Sequence, residues 1–178
     1  MNVTAYEKRI SSDYCLTFED AKKVYTFVNN WLDQAIDYYK PENEATEYAK
    51  IIKDYAELYQ NIAFFEEDPS NQAKMQKRRA KYHEDLLELL NPVFYLAICR
   101  ESWYIAGLAH CAILDIRLDG LKANSNPTPQ EWHKINQTCH KAIKHFDDFI
   151  KSYLDKQGQF KPIADTDEQR TLLYAHFH

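Results

Sequence analysis

Apolar positions along this chain recur every three or four residues, the period of a helix that turns one face to a core. From Phe18 the positions Ala21, Val24, Tyr25, Val28, Trp31, Leu32, Ala35, Ile36 and Tyr39 form one broad stripe. Thr17 stands ahead of it as a hydroxyl cap, with Glu19 and Asp20 at the positive end of the helix dipole. Pro41 ends this helix and opens the next, because a proline at the first helical position gives up no useful donor. A second stripe from Ala45 through Tyr48, Ile52, Tyr55, Tyr59 and Ala63 reaches about Phe65. With almost no loop between them, the two helices must fold back antiparallel.

Asp68 before Pro69 repeats the cap and first-turn signal, and Met75, Tyr82, Leu86, Leu89 and Leu90 mark a third, more polar helix. A fourth, from about Pro92 to Leu118, is apolar around its circumference, with Phe94, Leu96, Ile98, Trp103, Ile105, Leu108 and Ile113, which predicts burial between neighbours. The segment DGLKANSNP, Asp119 to Pro127, reads as a loop, and Thr128 to Glu131 as a capping box. The fifth stripe runs from Trp132 through Ile135, Ala142, Phe146 and Phe149 to Leu154, ending before a loop around Gly158 to Pro162. A sixth helix starts near Thr166, and no cap or glycine closes it before His178. Residues 1–16 read as poorly ordered. The expectation is all-α: about six helices in three antiparallel hairpins, spaced about 50–60 residues apart rather than the ~34 of a tetratricopeptide unit.

Composition narrows the function classes. Three glycines and six prolines in 178 residues leave little material for hairpin turns, which favours long helices. A net charge of −5 argues against nucleic acid, whose phosphates call for a basic face. Charges interrupt every hydrophobic run before it reaches the roughly 20 residues of a membrane span. Cys15, Cys99, Cys111 and Cys139 lie far apart with no CxxC pair, which suggests a reducing, cytoplasmic setting. There is no GxSxG and no phosphate-cradling glycine loop, so no enzyme is expected. Seven histidines invite a metal reading through His110, His133, Cys139, His140, His145, His176 and His178. Their spacing does not support it: His140 and His145 are five apart, and no EXXH or HEXXH pair occurs. Neither a metal nor a cofactor is therefore expected.

From Ala63 to Ala80 the chain reads AFFEEDPSNQAKMQKRRA, joining Phe64 and Phe65, the acids Glu66, Glu67 and Asp68, Pro69, and the register Gln72, Lys74, Met75, Lys77, Arg78, Arg79. This segment, with the helical order from Trp31 through Leu86 to Leu90 and the Cys99–Arg100 pair, resembles the C-terminal part of the kinesin-binding protein family. The resemblance implies a tetratricopeptide-like right-handed α-solenoid that binds kinesin motor domains and blocks their association with microtubules, cytoplasmic and cytoskeleton-associated, without a catalytic step. It also implies a motor grip shared with an N-terminal half not contained in this sequence.

Charge is segregated along the chain. From Asp33 to Asp68 ten acids face three lysines; from Pro69 to Lys81 there are five bases and no acids. The plainer reading pairs the basic helix electrostatically with its acidic neighbour. The sharper one makes the acidic hairpin, with Glu42, Glu44 and Glu47, an imitation of the acidic microtubule surface. Phe64 and Phe65 read either as a hydrophobic anchor for a partner or, the favoured reading, as packing for the junction between hairpins. The partner-binding set is thus Glu42, Glu44, Glu47, Phe64, Phe65, Glu66, Glu67 and Asp68. The alternatives are a generic helical-repeat scaffold for another peptide or subunit, and a cofactor-holding bundle. The unclosed last helix leaves apolar surface through which the chain can form a homo-oligomer.

Overall fold

The computed structural model describes residues 14–124, 126–163 and 165–177. Most of the segment expected to lack order, residues 1–13, lies outside them. Six helices follow one another: α1 Phe18–Tyr38, α2 Pro41–Phe65, α3 Pro69–Leu89, α4 Leu96–Ala123, α5 Pro129–Lys151 and α6 Thr166–Phe177. Among the described residues there is no strand, only an isolated bridge between Leu154 and Phe160 that folds over Gly158, where φ is +78°.

The caps explain most of the starts. The Thr17 hydroxyl accepts the Asp20 amide, the Asp68 carboxylate accepts the Ser70 amide, and Thr128 with Glu131 closes a full capping box. Proline opens α2, α3 and α5. Asp165 caps α6 by accepting the amides of Asp167 and Glu168.

Two boundaries of α4 differ from expectation. It begins at Leu96, not Pro92, because the Asn91 side chain captures the Val93 amide and the Asn91 carbonyl takes those of Phe94 and Tyr95, which winds a turn instead. That turn leaves Val93 and Phe94 exposed rather than in the core. At the other end α4 runs on through Gly120 to Ala123, with Lys122 bonded to Asp119 one turn back at 2.8 Å. The expected loop gives up its first five residues, Asp119 to Ala123, to the helix.

Successive helices pack on one another, α1 on α2 through to α5 on α6. One core gathers Leu32, Ala49, Ile52, Tyr55, Leu86, Leu90 and Cys99 from α1 to α4, and a second gathers Phe146, Phe149, Tyr153 and Ala175 around α5 and α6. Tyr55 stacks on Tyr82 at 5.2 Å, and Tyr59 meets both Tyr25 and Tyr82, so aromatic rings join the first three helices. Gly107 brings α4 against α5: a methyl group there would lie 2.7 Å from the buried Phe146 ring. The α1 stripe is only partly used. Ala21 and Leu32 are buried, and with the half-buried Val24 and Val28 they form the α1 side of an open groove of about 590 Å³ between α1 and α2. Among the described residues α1 packs chiefly on α2, which leaves Trp31 and Tyr38 of its apolar positions exposed.

Candidate partner-binding surface

The eight residues expected to form one surface do not converge. Glu42, Glu44 and Glu47 lie on the first two turns of α2, while Phe64, Phe65 and the acidic triplet lie at and just past its end. Twenty residues of helix at 1.5 Å each separate Glu44 from Phe64 by about 30 Å. They make two patches, one at each end of one rod.

At the first patch the backbone leaves helical geometry at Glu44 (φ −132°, ψ 48°), which sets the opening turn at an angle to the rest of α2. Glu42 and Glu44 are exposed and have no ion pair among the described residues, and Glu47 is half-buried and bonds Lys50 at 2.7 Å. Two carboxylates thus remain free for a partner.

At the second patch the side chains differ in role. Phe64 is 83% exposed, so it does not pack a hairpin junction, which corrects the favoured reading for that ring. Phe65 does so in part: it is half-buried and lines the α1–α2 groove, with the Phe64 ring edge-on to it at 5.2 Å. Glu66 accepts the Asp68 amide and, through its carbonyl, the Gln72 side chain, and Asp68 caps α3. These two acids serve the turn between α2 and α3. Glu67 and Phe64 remain as its outward-facing groups.

The bases of α3 do not pair with the acids of α2. Arg78 donates to the Tyr59 hydroxyl at 3.0 Å and lies over its ring, Lys74 bonds Asn71, and Lys81 pairs with Asp85 of its own helix. Arg79 is buried and bonds Gln76 at 3.3 Å, and burial lowers its affinity for a proton. With Lys53, Glu57, His83 and Glu101 it lines a cleft of about 270 Å³ between α2, α3 and α4. In place of the pairing expected between the two segments, Lys74, Arg78 and Arg79 bond neutral groups and Lys81 pairs within its own helix.

One cluster was not foreseen. Glu84 of α3, His110 of α4 and His145 of α5 meet in the interior, with His110 Nε2 2.9 Å and His145 Nε2 3.3 Å from the same Glu84 Oε1. The two imidazoles lie parallel, 5.6 Å between ring centres, and Lys141 Nζ reaches that same oxygen at 3.3 Å. The hydrogen bonds from His110 and His145, with Lys141 adding to them, hold the Glu84 carboxyl well below the usual carboxylate range. Spacing along the chain gives no sign of this set because each member comes from a different helix. Of the other histidines weighed, His133 bonds Gln137, His140 bonds the Asn136 carbonyl, and His178 lies outside the described residues.

Comparison with known proteins agrees with the residues of the Ala63–Ala80 segment. Over residues 1–178 the chain matches the family described as KIF-1 binding protein C terminal. It is 63% identical over its whole length to the KIF-binding protein of Drosophila melanogaster, of which it covers 30%. It is 28% identical to that of Danio rerio and 26% to that of Homo sapiens, covering 28% of each. The chain therefore spans less than a third of the length of these curated relatives. No solved structure matches it. Full-length agreement with the family description, and close identity to one of the relatives, place this chain in the KIF-1 binding protein C-terminal family.

Proposed function

We propose that this chain is the C-terminal part of a protein that binds kinesin motor domains and keeps them from microtubules, acting by surface contact without catalysis. The observation that carries the reading is the match along the entire chain to relatives named for binding KIF proteins. The surface supports it physically: the exposed Glu42 and Glu44 suit the basic face that a motor turns toward an acidic track, and Phe64 offers an aromatic anchor at the opposite end of α2.

A tetratricopeptide-like right-handed solenoid is the proposed architecture. Links between helices two apart favour it: Lys53 with Glu101 joins α2 to α4, Glu84 with His145 joins α3 to α5, and Arg100 with Glu168 joins α4 to α6. Layered hairpins make such contacts repeatedly along a stack. The proposed setting is the cytoplasm, close to the cytoskeleton.

The test is the association of the chain with a purified motor domain, followed with and without microtubules. Charge reversal by E42K, E44K and E47K together is expected to slow association about tenfold or more at low salt and to flatten its salt dependence. An unchanged rate and salt slope would remove this patch from the contact. Absence of any complex both with this chain and with a full-length protein that contains it, with the motor still free to bind microtubules, would favour a scaffold for a different subunit.

A further inference from the structure

We infer that Glu84, His110 and His145 form a binding site for a single divalent transition-metal ion, with zinc the best-suited chemistry, which clamps α3, α4 and α5 together. One carboxylate and two imidazoles are the donor types that zinc takes, at about 2.0–2.2 Å from each. Tetrahedral ligands at that radius stand about 3.3 Å apart. The carboxylate oxygen lies 2.9 and 3.3 Å from the two Nε2 atoms, and all three donor atoms fall within 4.8 Å of one another. Small side-chain adjustments therefore suffice to receive the ion.

A second observation points the same way. The Lys141 ammonium already sits 3.3 Å from the shared carboxylate oxygen, so the spot is one where a cation resides. Its side chain is 55% exposed and free to swing out, while the His110 and His145 side chains are 5% and 10% exposed. Solvent thus has a route in on the Glu84 and Lys141 side, and water fills the fourth position. Beyond the Nε2 contacts to Glu84 and their mutual stacking, the rings are held by burial: neither Nδ1 has a hydrogen-bond partner. Taking the ion at Nε2 leaves the ring proton on Nδ1, where nothing orients it, and second-shell partners of that kind are usually worth about 10–100-fold in affinity. The expected binding is accordingly micromolar. It does not depend on the kinesin reading.

The test is calorimetric titration of Zn²⁺ into the purified, tag-free chain, with Co²⁺ absorption reporting coordination geometry. One ion per chain is expected. His145→Gln and Glu84→Gln should each weaken it about 100-fold or more, since loss of a ligand exceeds loss of its support. Lys141→Met should tighten it by removing the competing ammonium, and His133→Gln with His140→Gln should leave it unchanged. In the unaltered chain, Co²⁺ should shift the ring-proton resonances of His110 and His145 ahead of those of the exposed histidines, a readout that no folding defect can mimic. Absence of stoichiometric uptake, uptake that survives both ligand substitutions, or resonance shifts confined to other histidines would each overturn the site.

Discussion

His83 lies in the interior of α3, 3% exposed, with its Nδ1 3.3 Å from the buried Ser102 hydroxyl of α4. Burial first, and then the neighbouring Arg79 guanidinium, pushes the imidazole down to about 4 from its ordinary 6.5. Between those two values the unfolded chain holds a proton that the folded chain refuses, so acid favours unfolding. The stability is present above about 6.5 and is lost as pH falls toward 4, by on the order of 1–3 kcal/mol. His83→Gln keeps a partner for Ser102 and removes the titration. Urea midpoints at pH 7 and pH 5 should then differ less in the variant than in the parent chain, whereas equal differences would place the acid sensitivity elsewhere. Glu84 does not confuse this comparison, because its depressed carboxyl loses its contribution only below the ordinary carboxylate range. His83 and Arg79 also mark what a hydropathy pattern misses: on α3, polar side chains occupy interior positions that the period alone assigns to leucine or methionine.

Beside the apolar packing of Leu172 and Ala175 on α5, one arginine ties α6 to α4. Arg100 of α4 donates from Nε and Nη2 to the side chain and carbonyl of Ser152, pairs with Glu168 of α6 at 3.3 Å, and lies 3.6 Å over the Tyr153 ring. The Tyr153 hydroxyl donates to the same Glu168 at 2.8 Å. Arg100→Met keeps the apolar stem but leaves Glu168 with one donor fewer, and should cost about 1–3 kcal/mol. Hydrogen exchange should quicken across residues 166–177 while α2 keeps its protection; equal loosening of both would mean that Arg100 holds the whole fold rather than one element. Boundaries set by local chemistry were legible at this scale. Thr17, Pro41, Asp68 and Thr128 each cap or open a helix where the sequence places it. The start of α4 was not, since an asparagine side chain can bind its own backbone as readily as it can cap a helix, and only packing decides which.

Across the whole molecule, the succession of six helices, each packed on the next, followed from the stripes and caps, but the direction of each exposed group did not. Phe64 is apolar and in register, yet it faces outward because nothing packs over that side of the end of α2. The Glu84, His110 and His145 cluster required knowing which three helices become neighbours, and no spacing within one helix carries that information. The two ends of α2 also predict separate kinetic roles in a complex. Phe64→Ser should leave folding stability within about 0.5 kcal/mol, as expected for an exposed side chain, while speeding dissociation of a bound motor domain. A variant that unfolds more readily, or one that leaves the dissociation rate unchanged, would count against an anchor there. Gly107 has a broader consequence. Because its bare α-carbon lies against the Phe146 ring, positions 107 and 146 form one volume shared by two layers. A bulkier residue at the first is accommodated only if the ring at the second shifts or gives way to a slimmer side chain, whereas the ring can shrink while the glycine stays.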